Sequence, residues 1–265
     1  MISERPISFD QLVAEFEALG VTAGMNILLH SSLKSIGGWI PGGAETVILA
    51  LEQVLGKEGT LMVPTQTSQL THPKLWKYPP ADPKWWDLIC ESMPAYDPDF
   101  TVTSGMGVIV ETFRKQKGVV RSNHPHVSFA AYGRHAGEWM EDHGLDYGLG
   151  SASPLQKLYD AEGHVLMLGT DYLTNTSIHL AEFMADWQDK KQIEMNAPVI
   201  TESGKQWITF KDLNFDSDDF DRIGSDFEAD CPHLWTQDKI GQAAAKLMSQ
   251  RGLVDYAAGW LETHR

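Results

Sequence analysis

Cysteine is scarce: the 265-residue chain holds two, Cys90 and Cys231, and no CxxC pair. That leaves no cysteine-built zinc cluster and no disulfide framework, and it suits a reducing compartment, so a cytoplasmic protein is expected. Long apolar runs are missing as well. No stretch approaches the roughly 20 continuous apolar residues that span a bilayer. The acidic, amphipathic opening "MISERPISFDQLVAEFEALG" reads as neither a signal nor a transit peptide, so no membrane association is expected. Basic charge is in short supply, with 21 Lys and Arg against 36 Asp and Glu, for a formal net charge of −15. Without a basic cluster to offset that field, nucleic acid is excluded as a partner. The same field draws in a cationic small molecule, while plain solubility accounts for it equally. GxGxxG and Walker A signatures, internal repeats and low-complexity segments are all absent.

What is present is an ordinary globular composition, 42% hydrophobic and 22% charged. Ser8 and Gln11 suit a capping box for a first helix whose apolar positions, Phe9 through Leu19, recur at helical spacing before Gly20. "MNILLHSS" reads as a buried strand, "GGAETVILALEQVLG" as a helix and "GTLMVPTQT" as a second buried strand. This alternation predicts an α/β fold: a three-layer α/β/α sandwich on a mixed central sheet. Further helices are expected in "GMGVIVETFRKQKG", "SPLQKLYDAEG" and the run around His179, with strands in "VSFAAYG" and "HVLMLG". A β-hairpin is expected over 198–211, turning at Ser203 and Gly204. Residues 212–230 read as an acidic, solvated stretch and 239–265 as helical. Residues 68–101 break the rhythm with six of the 13 prolines and three of the nine tryptophans. A loop of that length is usually functional, and we expect one domain over 1–265 with 68–101 inserted as a wall of the binding site.

Three places concentrate chemistry. "LLHSSLKSIGGWIPGGAE" brings hydroxyls and glycines to a strand-to-helix turn, where backbone N–H groups and a helix dipole can hold phosphate, although tight turns need the same glycines. In "VVRSNHPHVSF", Arg121 and Ser122 suit phosphate, and Pro125 fixes His124 in extended backbone. "VLMLGTDYLTNTSIHLAEF" places Asp171, Asn175, His179 and Glu182 after a buried strand, where α/β proteins bind ligands. His179 and Glu182, three residues apart in a helix, share one face, as a catalytic base with a supporting acid or as a satisfied buried pair. HxxE lacks the second histidine of a zincin, so no metal is expected; a His/Glu metal-dependent hydrolase drawing on His124 stays as an alternative.

Taken in order, "LLHSSLKSIG…GGAETVILAL", "GTLMVPTQT", "MGVIVETFR", "RSNHPHVSFAAYG", "LGSASPLQKLY" and "NTSIHLAE" resemble the aminoglycoside 3-N-acetyltransferase family, and within it the branch of Bacillus-like bacteria. The likeness runs from about residue 9 to about residue 260. It implies a three-layer α/β/α fold unrelated to the GNAT fold, acetyl-CoA as co-substrate, and transfer to the 3-amino group of 2-deoxystreptamine aminoglycosides, with antibiotic resistance as the outcome. By that resemblance His30, Ser31, Ser32, Leu33, Ser35, Ile36, Gly42, Gly43 and Thr65 line the coenzyme, and Arg121 and Ser122 contact its phosphates. His179 is the general base, Glu182 its acidic partner, and His124 lies near the thioester. Asp171, Asn175 and Glu182 are candidate contacts for the cationic aminoglycoside. Chemistry agrees, since an ammonium must lose a proton before it attacks a thioester. With neither cysteine in a motif, direct transfer is expected over an acetyl-enzyme. Another amine acceptor is the nearest rival activity, and a monomer or homodimer is expected.

Overall fold

A computed structural model describes residues 5–265. In chain order it runs α1 (Phe9–Leu19), β1 (Asn26–Ser31), α2 (Leu33–Ile36), α3 (Ala44–Leu55), β2 (Thr60–Pro64), α4 (Trp86–Ser92) and α5 (Gly107–Phe113). Then follow β3 (Val120–Arg121), β4 (Phe129–Gly133), α6 (Ala136–Glu141), α7 (Pro154–Asp160), β5 (His164–Leu168) and α8 (Thr176–Met184). The chain continues through β6 (Gln192–Thr201), β7 (Gly204–Leu213), α9 (Phe220–Asp230), β8 (Trp235–Ile240), β9 (Ala243–Ser249) and α10 (Gln250–His264). Seven strands form one mixed sheet in the order β3-β4-β2-β1-β5-β9-β8, and β6 pairs with β7 in a separate hairpin.

Sequence alternation within the strands creates the layers. Successive side chains point to opposite faces of a sheet, so a strand that is apolar throughout must be covered on both. Ile27, Leu29, Leu61, Val63, Leu166 and Leu168 join α1, α3 and α5 in one buried cluster. Their neighbours Leu28, Met62, Val165 and Met167 join α6 through α10 in the other. The expected α/β/α sandwich is therefore present. At α1, Ser8 Oγ accepts the Gln11 N–H at 3.2 Å. Gln11 itself bonds Glu15 at 2.8 Å, so half of the anticipated capping box is replaced by an i,i+4 pair.

Two segments depart from expectation. Residues 239–249, read as helical, end β8 and form β9. Ala243, Ala245 and Leu247 pack on one face while β9 pairs antiparallel with β5 from Leu168↔Ala245 to His164↔Ser249. Tertiary pairing overrides the helix preference of the alanine run, and Gly241, at φ +59°, makes the turn. Residues 212–230, read as solvated, contain α9, whose Phe220, Ile223 and Phe227 are fully buried at helical spacing. The hairpin is longer than expected, spanning Gln192 to Leu213. Residues 68–101 fold into three short 3₁₀ turns and α4, and lean on that hairpin. Tyr96 N–H donates to the Pro198 carbonyl at 2.8 Å, Trp207 Nε1 to Cys90 at 3.0 Å and Lys205 Nζ to Met93 at 2.8 Å.

Candidate active site

Strands β2, β1 and β5 run parallel, so their C-terminal ends share one edge of the sheet. A cavity of about 350 Å³ opens there. His30 and Ser31 reach it from the end of β1, Gln66 from beyond β2, Thr170 from beyond β5, and His179 from α8. Met106, which precedes α5, and Val110 within it supply an apolar side. The strand ends of open α/β sheets are where such proteins hold ligands.

Helix α8 aims His179. Asn175 caps it, its Oδ1 accepting the Ser177 N–H at 3.1 Å, and is itself fully buried. Ile178, Leu180 and Ala181 lock the helix into the core, which leaves His179 facing the cavity. One turn on, Glu182 Oε2 lies 2.5 Å from His179 Nδ1. A carboxylate only accepts, so Nδ1 carries the hydrogen and, in the neutral ring, Nε2 carries the lone pair. The rings of Phe215 and Phe220 stand 5.0 and 4.8 Å from the imidazole and limit its rotation.

Glu182 is completely buried, and a buried charge needs partners. Arg265 Nη1 meets its Oε1 at 2.5 Å, and the Asp216 N–H donates to the same oxygen at 3.1 Å. Arg265 is gripped in turn by Asp219, whose Oδ2 and Oδ1 accept from Nε at 2.8 Å and Nη2 at 2.6 Å. Across the cavity, burial and then the neighbouring His179 hold the His30 pKa down at about 3, so His30 is neutral. His30 Nε2, Ser31 Oγ and Thr170 Oγ1 are buried without a hydrogen-bond partner among the described residues. All three residues line the cavity, which makes them the natural receivers of a polar ligand.

Other sequence-predicted residues fall into two groups. Ser32, Leu33, Gly43 and the more exposed Ser35 and Gly42 lie at or near the protein surface beyond β1. Ser35 Oγ sits 2.8 Å from Ser32 Oγ and donates to the Gly169 carbonyl at 3.0 Å, tying α2 to the end of β5. Asp171 is exposed. Ile36, Thr65, Arg121, Ser122, His124 and Asn175 are instead buried, and none of them lines the cavity.

The Arg121 nitrogens are committed: Nε to Thr65 Oγ1 and Ser128 Oγ, Nη1 to the Thr101 carbonyl at 2.6 Å, and Nη2 to the Thr65 carbonyl at 2.8 Å. The expected phosphate fork is an internal clamp. Ser122 Oγ, expected beside it, accepts the Phe129 N–H at 2.9 Å and meets His143 Nδ1 at 2.9 Å. His124 Nδ1 accepts two backbone N–H groups, from His126 and Val127, each at 3.1 Å. Its Nε2 therefore carries the hydrogen and donates to the Leu145 carbonyl at 3.1 Å, and burial drives its pKa well down. Both ring nitrogens of His124 are thus occupied within the protein, and the side chain holds the turn over residues 124–127.

Residues 68–101 contribute nothing to the cavity lining. The sequence reading missed Thr170, Phe215, Phe220, Asp219 and Arg265. Thr170 carried a usable signal, since it follows a buried strand directly; the others converge only through tertiary structure.

Fold and site together define an α/β enzyme with a titratable pair in a cleft at its parallel strand ends. Residues 28–262 match the family described as aminoglycoside 3-N-acetyltransferase, and the chain belongs to that family. It is an N-acetyltransferase. The Bacillus subtilis (strain 168) protein described as SPbeta prophage-derived aminoglycoside N(3')-acetyltransferase-like protein YokD is 44% identical over 256 residues, 96% of this chain and 92% of its own. The crystal structure of YokD aligns with a TM-score of 0.94 over 98% of this chain and 95% of that one. A structure of AAC-IIIb binary with CoASH is 30% identical with a TM-score of 0.87, covering 98% of this chain and 97% of that one. AAC-VIa bound to sisomicin is 26% identical with a TM-score of 0.86, covering 98% and 99%.

Proposed function

We propose that the protein transfers the acetyl group of acetyl-CoA directly to the 3-amino group of a 2-deoxystreptamine aminoglycoside, with His179 as general base. The observation that carries this reading is the Glu182-backed His179 at the cavity, its Nε2 lone pair unclaimed. Support comes also from the relatives that hold CoASH and sisomicin. Nε2 takes a proton from the amine as its nitrogen bonds the thioester carbonyl carbon. The C–S bond then breaks, and the imidazolium returns that proton to the departing thiolate. Glu182 stabilises the imidazolium in between. Ser31, Thr170 and neutral His30 offer polar groups to the acyl and amine ends. The two cysteines do not line the cavity, in keeping with direct transfer in a ternary complex. The reaction is placed in the cytoplasm, where both thiols stay reduced, and aminoglycoside resistance is the expected phenotype.

The test is free-thiol release from acetyl-CoA with a panel of 2-deoxystreptamine aminoglycosides, wild type beside His179→Ala. A loss of about 10²–10⁴-fold in kcat is expected, with coenzyme affinity retained. Equal turnover by the variant removes His179 from the mechanism. Release only with other amines leaves the site chemistry standing and changes the acceptor.

A further inference from the structure

We propose that Arg265 is a positioning residue for this reaction: by gripping one oxygen of Glu182 it turns the other to His179 and holds the imidazole with Nε2 toward the cavity. The inference rests on the reading of His179 as the base. Arg265 follows α10, remote in sequence from α8, yet its guanidinium is fixed on every side. Nη1 holds Glu182 Oε1 at 2.5 Å, Nε and Nη2 hold Asp219, and Nη2 also donates to the Asp216 carbonyl at 2.5 Å. The Trp187 ring lies 5.4 Å from its centre. The cation sits on the carboxylate oxygen that His179 does not use. The charge of Glu182 is therefore divided between a guanidinium and an imidazole.

The charged and titratable groups that face His179 are few. Glu182 comes from its own helix and His30, kept neutral by burial, from β1. Arg265 stands behind Glu182 from beyond α10, and Asp219 and the Asp216 backbone stand behind Arg265 from the turn into α9. Phe215 and Phe220 present only rings.

Two opposite effects follow. Without the Arg265 charge, His179 is the one cationic partner left to Glu182 beside the Asp216 N–H, and the pair releases its proton at higher pH. Without the Asp219 charge, Arg265 draws on Glu182 more strongly, and the proton leaves at lower pH. A role confined to holding the fold together shifts neither.

The experiment compares full-length wild type, Arg265→Gln, Arg265→Lys and Asp219→Asn. The readouts are the pH profile of kcat/KM for acetyl transfer and the NMR titration of the His179 imidazole nitrogens without substrates. In Arg265→Gln both midpoints are expected to rise by about one pH unit, with kcat at neutral pH about tenfold lower and the KM for acetyl-CoA unchanged. In Asp219→Asn both fall. Arg265→Lys, which keeps the charge but loses the two-sided grip, stays near the wild-type midpoints with reduced kcat. Activity that drops only with the folded fraction, at unmoved midpoints, overturns the proposal. Should Arg265→Gln fail to fold, an unmoved or raised midpoint in Asp219→Asn overturns it as well. A wild type that acetylates no amine defeats the acetyl-transfer reading alone, because the NMR titration still decides for or against Arg265.

Discussion

A guanidinium whose nitrogens are already bound to carbonyls and hydroxyls has little left for a phosphate. At Arg121 the Thr65 and Thr101 carbonyls lose their partners if the side chain is shortened. Arg121→Met is therefore expected to cost about 2–4 kcal/mol in urea denaturation, while the folded protein keeps its coenzyme affinity. A large affinity loss at unchanged stability would return Arg121 to the coenzyme. His179 and Glu182 could be found from the sequence because helical geometry is local: three residues apart means side by side. His124 and Arg121 could not be judged that way. The Arg121 nitrogens are taken by distant carbonyls at Thr65 and Thr101, and the His124 lone pair by the turn its own segment adopts, which the residue pattern does not announce.

At the scale of elements, the strands with unbroken apolar runs and the helices with sharp stops were legible. Burial on both sheet faces writes itself into consecutive residues, as in Leu28, Leu29 and Val165 to Leu168. The β8–β9 hairpin was hidden, because alanines that prefer helix in isolation serve here as small fillers beside β5. The aromatic stripe of α9 was hidden by the acidic residues between its phenylalanines. The junction of α2 with β5 has little room to spare. Gly169 has φ +69°, and a Cβ there would overlap Ser35 Cβ and approach Ala243 Cβ at 3.2 Å. Gly169→Ala is expected to destabilise by about 1–3 kcal/mol and, should α2 border the coenzyme as the family resemblance implies, to weaken coenzyme binding by displacing α2. Unchanged denaturation and unchanged affinity would show that the junction yields freely.

For the whole molecule, four buried neutral histidines dominate the acid response. His30 has its pKa lowered to about 3, His126 and His143 to about 4, and His124 well down, each chiefly by burial. The unfolded chain binds the extra protons between those values and about 6.5, so stability is full above that window and lost as pH falls through it. Asp212 opposes them. Burial raises its pKa to about 7, so it favours the folded state on acidification and offsets one histidine. The net direction is a loss of stability on acidification, which urea midpoints between neutral pH and pH 5 would reveal; a flat profile would contradict the burial. The net charge of −15 adds a second signature. Raising salt from about 20 to 300 mM is expected to lower kcat/KM for a cationic acceptor several-fold and to raise it for the anionic coenzyme, since screening weakens attraction and repulsion alike.

A chamber of about 350 Å³ has a consequence for how such a protein can change over generations. On the proposed reaction the acetyl group and the attacking amine meet inside it, beside His179. The remainder of a nucleotide-bearing thioester and of a multi-ring cation would extend from it over a rim that includes the exposed Leu173 and Thr174. Drift on that rim can alter which amine is presented, one substitution at a time. The histidine, its acid and the arginine behind them can meanwhile stay as they are.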